Sequence, residues 1–240
     1  MKTAFKSAAV VAAWALSSLS AQATIVTVFN AVAPGTASFN STVAAAGGTA
    51  KADQLTGLSS GTSINRGDYT ISRNNGGFLG PVDYGTLTGQ TIDISPSGTG
   101  PGIGAIGSGI KFQFSTAINS IGFEVGDWGT CCQPSALFIS FDNGAPIRVG
   151  ISTVPGDVRY NGVDEVFVAA FDDSGSFSTV QFWGDGFGEY LVAGGTIRYA
   201  LLNQGTLPPV SVPEPASLAL VGAGLVGLVA SRRRKQKQAA

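Results

Sequence analysis

From Ile110 onward, apolar side chains return at every second position in short runs, and each run ends on a turn signal. Ile110, Phe112 and Phe114 alternate with Lys111 and Gln113, and Ile121, Phe123 and Val125 share one face of the next run. Successive side chains of a strand point to opposite sides, so a period of two describes strands with one buried face. The pattern continues through residues 137–141, 146–152, 165–171, 177–183 and 191–202. Asp142-Asn143-Gly144 joins two of these runs, and Asn143-Gly144 supplies the positive φ angles of a tight hairpin. Asp172-Asp173-Ser174-Gly175 predicts a second hairpin, between 165–171 and 177–183. Upstream, 24–32 reads as the first strand, stopped by Pro34-Gly35, and 69–73 and 90–95 read as short strands. Residues 37–61 are small and polar and read as a loop with at most a weak strand or helical turn, and 96–109 is too rich in glycine for a packed element. With 34 glycines and only 12% charged residues, the chain is predicted to be all-β, an antiparallel two-sheet sandwich of jelly-roll type. No long helix is expected before Ala216.

The two ends obey different rules. Residues 1–23 carry Lys2 and Lys6, an apolar stretch over 8–16 and then Ala21-Gln22-Ala23, the basic, apolar and small-residue regions of a secretory signal peptide. Cleavage after Ala23, with Ala21 as the other small residue of the site, starts the mature chain at Thr24. Such a leader implies the Sec translocon and signal peptidase as partners. At the other end, 207–211 is a linker, Val212-Pro213-Glu214-Pro215 follows, and 216–230 is an uncharged apolar run closed by Arg232, Arg233, Arg234 and Lys235. As a helix this run is about 22 Å long, short for a bilayer core but able to span a thinned one. The cationic stop places the tail on the cytoplasmic side and everything before it outside.

Between the two signals, residues 24–206 form one domain with seven basic and fourteen acidic residues, a net charge of −7. Nucleic acid needs a basic footprint and is not an expected partner. The chain has no histidine, which removes Ser-His-Asp triads, Cys-His pairs and imidazole metal sites together. No catalytic residue, cofactor or metal is assigned. Asp142, Asp172 and Asp173 have a sufficient explanation as turn residues and lack the spacing of a calcium loop. Trp128, Trp183 and Tyr190 are candidate glycan contacts, since aromatic faces pack against sugar rings, although core packing explains tryptophan as well. Glu124, Asp127, Asp185 and Glu189 lie beside aromatic residues and support the alternative of a carbohydrate-active enzyme using paired carboxylates. Cys131 and Cys132 are adjacent and are the only cysteines. A strained disulfide ring, bonds to other chains and free thiols all stay open for them.

The order of linker, Pro-Glu-Pro, short apolar helix and arginine cluster resembles the PEP-CTERM sorting signal of Gram-negative bacteria. Val212 to Pro215 match the motif, and Arg232 to Arg234 match its basic end. The resemblance implies an exosortase-type processing enzyme as partner and an inner-membrane intermediate held by the 216–230 helix. The destination it implies is the cell surface or extracellular matrix, with exopolysaccharide as a neighbour. A plain membrane anchor is the competing reading. The runs Ile121-Gly122-Phe123, 138–143 and 177–182 are similar to the C-terminal half of secreted jelly-roll modules in other PEP-CTERM proteins, though Gly188-Glu189-Tyr190 stands where those carry an aspartate. The expectation is an exported, non-catalytic structural or carbohydrate-binding sandwich of the envelope or biofilm matrix.

Overall fold

A computed structural model describes residues 24–95, 103–128, 135–152, 165–184 and 190–207. In chain order the elements are β1 (Ile25–Phe29), α1 (Val32–Ala45), β2 (Lys51–Gln54), β3 (Ser63–Asn65), β4 (Tyr69–Arg73), β5 (Pro81–Val82) and β6 (Thr91–Asp93). A 3₁₀ turn over Ile103–Ser108 follows, then β7 (Ile110–Ile118), β8 (Ser120–Gly126), β9 (Ser135–Phe141) and β10 (Ile147–Ser152). The last strands are β11 (Val166–Phe171), β12 (Phe177–Gly184) and β13 (Val192–Ala200). They form a seven-stranded sheet, β1-β11-β8-β13-β6-β5 with β2 also on β13, and a six-stranded sheet, β10-β9-β12-β7-β4-β3. Every pairing is antiparallel.

The alternating residues of both sheets meet in one core. Phe123 of β8 stands edge-on to Phe182 of β12, with ring centroids 4.8 Å apart, and lies 5.7 Å from Phe112 of β7. Ile71, Ile139, Val168, Val180 and Ile197 are buried in the same cluster. The runs at 110–118 and 120–126 are consecutive but belong to different sheets. Asn119 makes the crossing: its side chain exchanges hydrogen bonds with the backbone of Leu202, at 3.1 and 2.6 Å, so the bend is tied to the end of β13.

Two turn expectations are corrected. Asp142 and Asn143 hold the positive φ angles, 48° and 59°, one residue earlier than the Asn143-Gly144 reading. Gly144 instead closes the turn, its N–H donating to Phe141 O at 2.8 Å. Asp142 tolerates this conformation because its Oδ1 accepts from the N–H groups of Ser178 and Thr179, at 3.0 and 2.8 Å. The second correction is larger: β11 and β12 are not a hairpin but lie in opposite sheets. Asp172 Oδ1 accepts from Ser174 N and Gly175 N, both at 2.9 Å, which bends the chain sharply. Buried Asp173 accepts from Thr206 N at 3.0 Å and from Leu207 N at 3.2 Å, anchoring the corner to the domain's last residues.

Helix α1 is the third correction, because 37–61 is expected to hold at most a helical turn or weak strand, and the helix runs over fourteen residues from Val32. Pro34 falls in its first turn, where a missing N–H costs nothing. The buried residues are Gly35, Phe39 and Val43, spaced by four, and they lie on the outside of the seven-stranded sheet. Gly35 permits this contact: a Cβ there would sit 2.5 Å from Phe167 Cβ. Phe39 meets Phe167 and Phe171 at centroid distances of 6.2 and 5.2 Å.

β13 changes partner midway. Val192–Gly194 pair with β6 and Thr196–Tyr199 with β2, and Gly195, at φ 69°, turns the strand between them. A paired charge clasp joins the two sheets near β2. Arg66 donates to Asp53 through Nε and Nη2, at 2.9 and 2.6 Å, and Tyr69 donates at 2.7 Å. Lys51 donates to Asp68 at 2.6 Å and Tyr199 at 2.9 Å.

Candidate functional site

The loop from Asp83 to Gln90 crosses the outer face of the seven-stranded sheet, held there by two carboxylates in the same way. Thr86 gives its N–H, at 2.6 Å, and its hydroxyl to Glu165. Thr88 gives its N–H and hydroxyl to Glu124, at 2.7 and 2.5 Å. Glu124 is fully buried and takes a further N–H from Thr196 at 3.2 Å. The kink in β13 makes room for it, since a Cβ on Gly195 would lie 2.1 Å from Glu124 Oε2.

Between this loop and the first half of α1 runs a groove of about 690 Å³, lined by Thr36, Asn40, Thr86, Thr88, Glu165 and Arg198 together with Ala31, Val32, Ala33 and Ala37. Arg198 belongs to β13 and its side chain is 13% exposed. Its Nη1 lies 3.8 Å from Glu124 Oε1 and donates to Thr196 O at 3.2 Å, and the guanidinium carbon is 5.9 Å from the Phe167 ring centre. Burial draws its pKa below the ordinary arginine value, and the Glu124 carboxylate opposes that shift. Thr36 Oγ1 is buried and has no hydrogen-bond partner. The groove thus offers a guanidinium, a carboxylate with unused lone pairs, a carboxamide and a hydroxyl to one occupant. Arg198 is balanced by Glu124 while Glu165 has no cation beside it among the described residues, so the lining favours a neutral polyhydroxyl ligand over an anion.

The residues singled out from sequence do not assemble. Trp128 is 0% exposed and donates from Nε1 to Ser135 O at 3.2 Å, inside the sandwich. Trp183 is also 0% exposed and stacks on Phe138 on the outer side of β12, with centroids 5.7 Å apart. The expectation of glycan contact at these two is therefore corrected, since neither ring presents a face to a ligand. Tyr190 is 41% exposed and lies 6.2 Å from Tyr84, whose ring rests against Gly126. Glu124 serves the loop and the β13 kink rather than an open cleft, and Asp127 sits at φ 57° after β8. Asp185, Glu189, Cys131 and Cys132 lie outside the described residues. So do the cleavage residues Ala21 and Ala23, the motif Val212 to Pro215, the 216–230 helix and the basic stop from Arg232 to Lys235. Among the described residues no helix is long and apolar enough to cross a membrane.

The groove residues escaped sequence reading because they are far apart in the chain. Arg198 falls in the run 191–202 read as a strand, Asn40 lies in the segment read as loop, and Thr36 falls between that segment and the Pro34-Gly35 stop. The two threonines of Thr86-Leu87-Thr88, spaced to meet two carboxylates, were the available signal.

No curated protein matches this sequence. Among solved structures, two variants of CBM29-2, from the family 29 carbohydrate binding modules, are distantly similar in fold. One is 12% identical over 64% of this chain and 92% of its own, and the other 11% over 69% and 99%, each with a TM-score of 0.37. The family model of the PEP-CTERM protein-sorting motif matches residues 211–235. The chain therefore ends in a PEP-CTERM sorting signal, the mark of a protein exported and sorted to the cell envelope or surface.

Proposed function

We propose that the β-sandwich is a non-catalytic, carbohydrate-binding component of the cell surface or extracellular matrix, handed to an exosortase-type enzyme after export. The observation that carries the binding half is the groove between α1 and the 83–90 loop, whose volume suits a saccharide unit and whose lining pairs donors with acceptors. The engagement of Glu124 by two backbone N–H groups, a hydroxyl and Arg198 supports a structural rather than a catalytic carboxylate. The sandwich is read as jelly-roll-like, supported by the sheet changes between β7 and β8 and between β11 and β12. The apolar run 216–230 is the transient membrane helix in this reading.

The test is neutral-glycan binding by the full-length protein and by Thr36→Val with Asn40→Ala, which empty the groove of two polar groups without touching the loop clamps. Binding that falls about thirtyfold at unchanged melting temperature is the expected result, two lost hydrogen bonds contributing on the order of 1 kcal/mol each. Absence of any neutral-glycan binding, or binding indifferent to both changes, overturns the groove assignment.

A further inference from the structure

A sheet can be extended at an edge strand, because every second residue there turns its backbone N–H and C=O away from the sheet with no strand to receive them. Four edges of this sandwich carry a device that discourages such pairing. β5 is two residues long and begins on Pro81, and β3 is three residues long. β2 carries Lys51 and Asp53, each tied into an ion pair. β10 carries Arg148 and breaks its register with β9 between Arg148 and Gly150. β1 has none of these devices. It reads IVTVF, pairs with β11 without interruption from Ile25↔Phe171 to Phe29↔Phe167, and has no described strand on its other side.

The charge around β1 sets it apart as well. Residues 24–50 contain no aspartate, glutamate, lysine or arginine, in a domain of net charge −7. β1 and α1 are thus a neutral flank, where two copies of an acidic domain can meet with little repulsion. The four apolar residues of β1 are each only half-buried, and Thr27 at its centre is exposed. Val26 and Val28 pack against the sandwich core, as Ile147 and Val149 of β10 do. The alternates Ile25, Thr27 and Phe29 belong to the other face, where the Phe29 ring lies 6.4 Å from that of Phe167.

We propose that β1 pairs antiparallel with β1 of a second copy about a two-fold axis at Thr27, joining two seven-stranded sheets into one. The strand is self-complementary in that register. On the outer face Ile25 stands opposite the partner's Phe29 and Thr27 opposite the partner's Thr27, and on the inner face Val26 stands opposite the partner's Val28. Aromatic with β-branched, and threonine with threonine, are cross-strand pairs that stabilise antiparallel sheets. This self-matching selects a second copy as the occupant, since a two-fold axis sets the same edge against itself. The groove stays open, because Arg198 stands on β13, separated from β1 by β11 and β8. The pairing is therefore independent of what the groove binds.

The experiment follows the full-length protein in detergent by sedimentation velocity over a range of concentrations. A dimer is expected. Thr27→Lys should weaken it about tenfold, because two lysines would face each other across the axis, whereas Thr27→Val should preserve it. Since Thr27 is exposed, both variants should match wild type in circular dichroism. The register is read by cross-linking in a background of Cys131→Ser with Cys132→Ser. Thr27→Cys should form an intermolecular disulfide on mild oxidation, as facing Cα atoms lie about 4.5 or 5.5 Å apart. Ile25→Cys should not, because the two copies of that position lie about 14 Å apart along the strands. A wild type that is monomeric at every concentration, a dimer unmoved by Thr27→Lys and so held elsewhere, or equal cross-linking at the two cysteine positions overturns the proposal.

Discussion

Phe167 and Gln113 both point outward from the middle of their sheets, and they meet opposite surroundings. Phe167 is roofed by α1, with Phe39, Gly35 and Arg198 against its ring, and it is fully buried. Gln113 looks into solvent, bonded only to its neighbours on β12. A sheet covered on both sides excludes polar residues from both sets of alternate positions, which is why β11 reads VFVAAF without a break. A strand covered on one side keeps its alternation, as in IKFQF at the start of β7, whereas β9 and β12 of the same sheet are buried on both faces almost throughout. The contrast teaches that coverage, not strand propensity, sets the pattern here: the roofed face admits a polar group only where it is fully engaged, as Glu124 is.

Breaking the roof gives the largest effect. Phe167→Ala removes the ring on which α1 rests and should cost about 3–5 kcal/mol, read as a shift of the urea midpoint. A change below 1 kcal/mol, roughly the scale of a surface substitution, would mean that the helix does not depend on the sheet beneath it.

The clasp between the sheets comes next. Burial pushes Asp53 upward, but hydrogen bonds from Arg66 and Tyr69 outweigh it and leave the carboxyl below its ordinary 3.8. Lys51 and then Tyr199 lower Asp68 in the same direction. A carboxyl whose folded pKa is depressed stabilises fully above its unfolded value and loses that contribution as pH falls through the folded one. Stability contributed by the clasp is therefore whole at neutral pH and disappears below 3.8. Asp53→Asn should be less stable at pH 7 and show a shallower acid limb than wild type. Parallel acid limbs in the two proteins would remove Asp53 from the account. The smallest effect belongs to the exposed side of β7: Gln113→Ala should stay within about 0.5 kcal/mol of wild type in the same urea titration. A loss as large as that of Phe167→Ala would show that the cover over β9 and β12 extends across β7 too.

The strands were legible in sequence because alternation reports burial directly: 69–73 and 137–141 fall on β4 and β9 almost residue for residue. Which sheet each strand joins was not legible. Asp172 to Gly175 carries the composition of a hairpin turn, and only the tertiary bonds of Asp173 to Thr206 and Leu207 make it a corner between sheets. Helix α1 was missed because its buried stripe is only Gly35, Phe39 and Val43, set among residues of weak helix propensity. Trp128 and Trp183 were ambiguous in kind, since large aromatics serve cores and ligands alike. The sorting motif needed no tertiary information, being a linear signal.

The bond between Asp173 and the last residues of the domain has a mechanical consequence. Thr206 and Leu207 are held at the corner before β12, and the chain beyond them leads to the sorting segment. A pull on that segment reaches Asp173 before it reaches β13. If the corner yields, the load passes to a strand bonded by β8 on one side and by β2 and β6 on the other, and a pull along that strand must shear many hydrogen bonds together. Asp173 thus stands between any load on the C-terminal end of the domain and the paired length of β13.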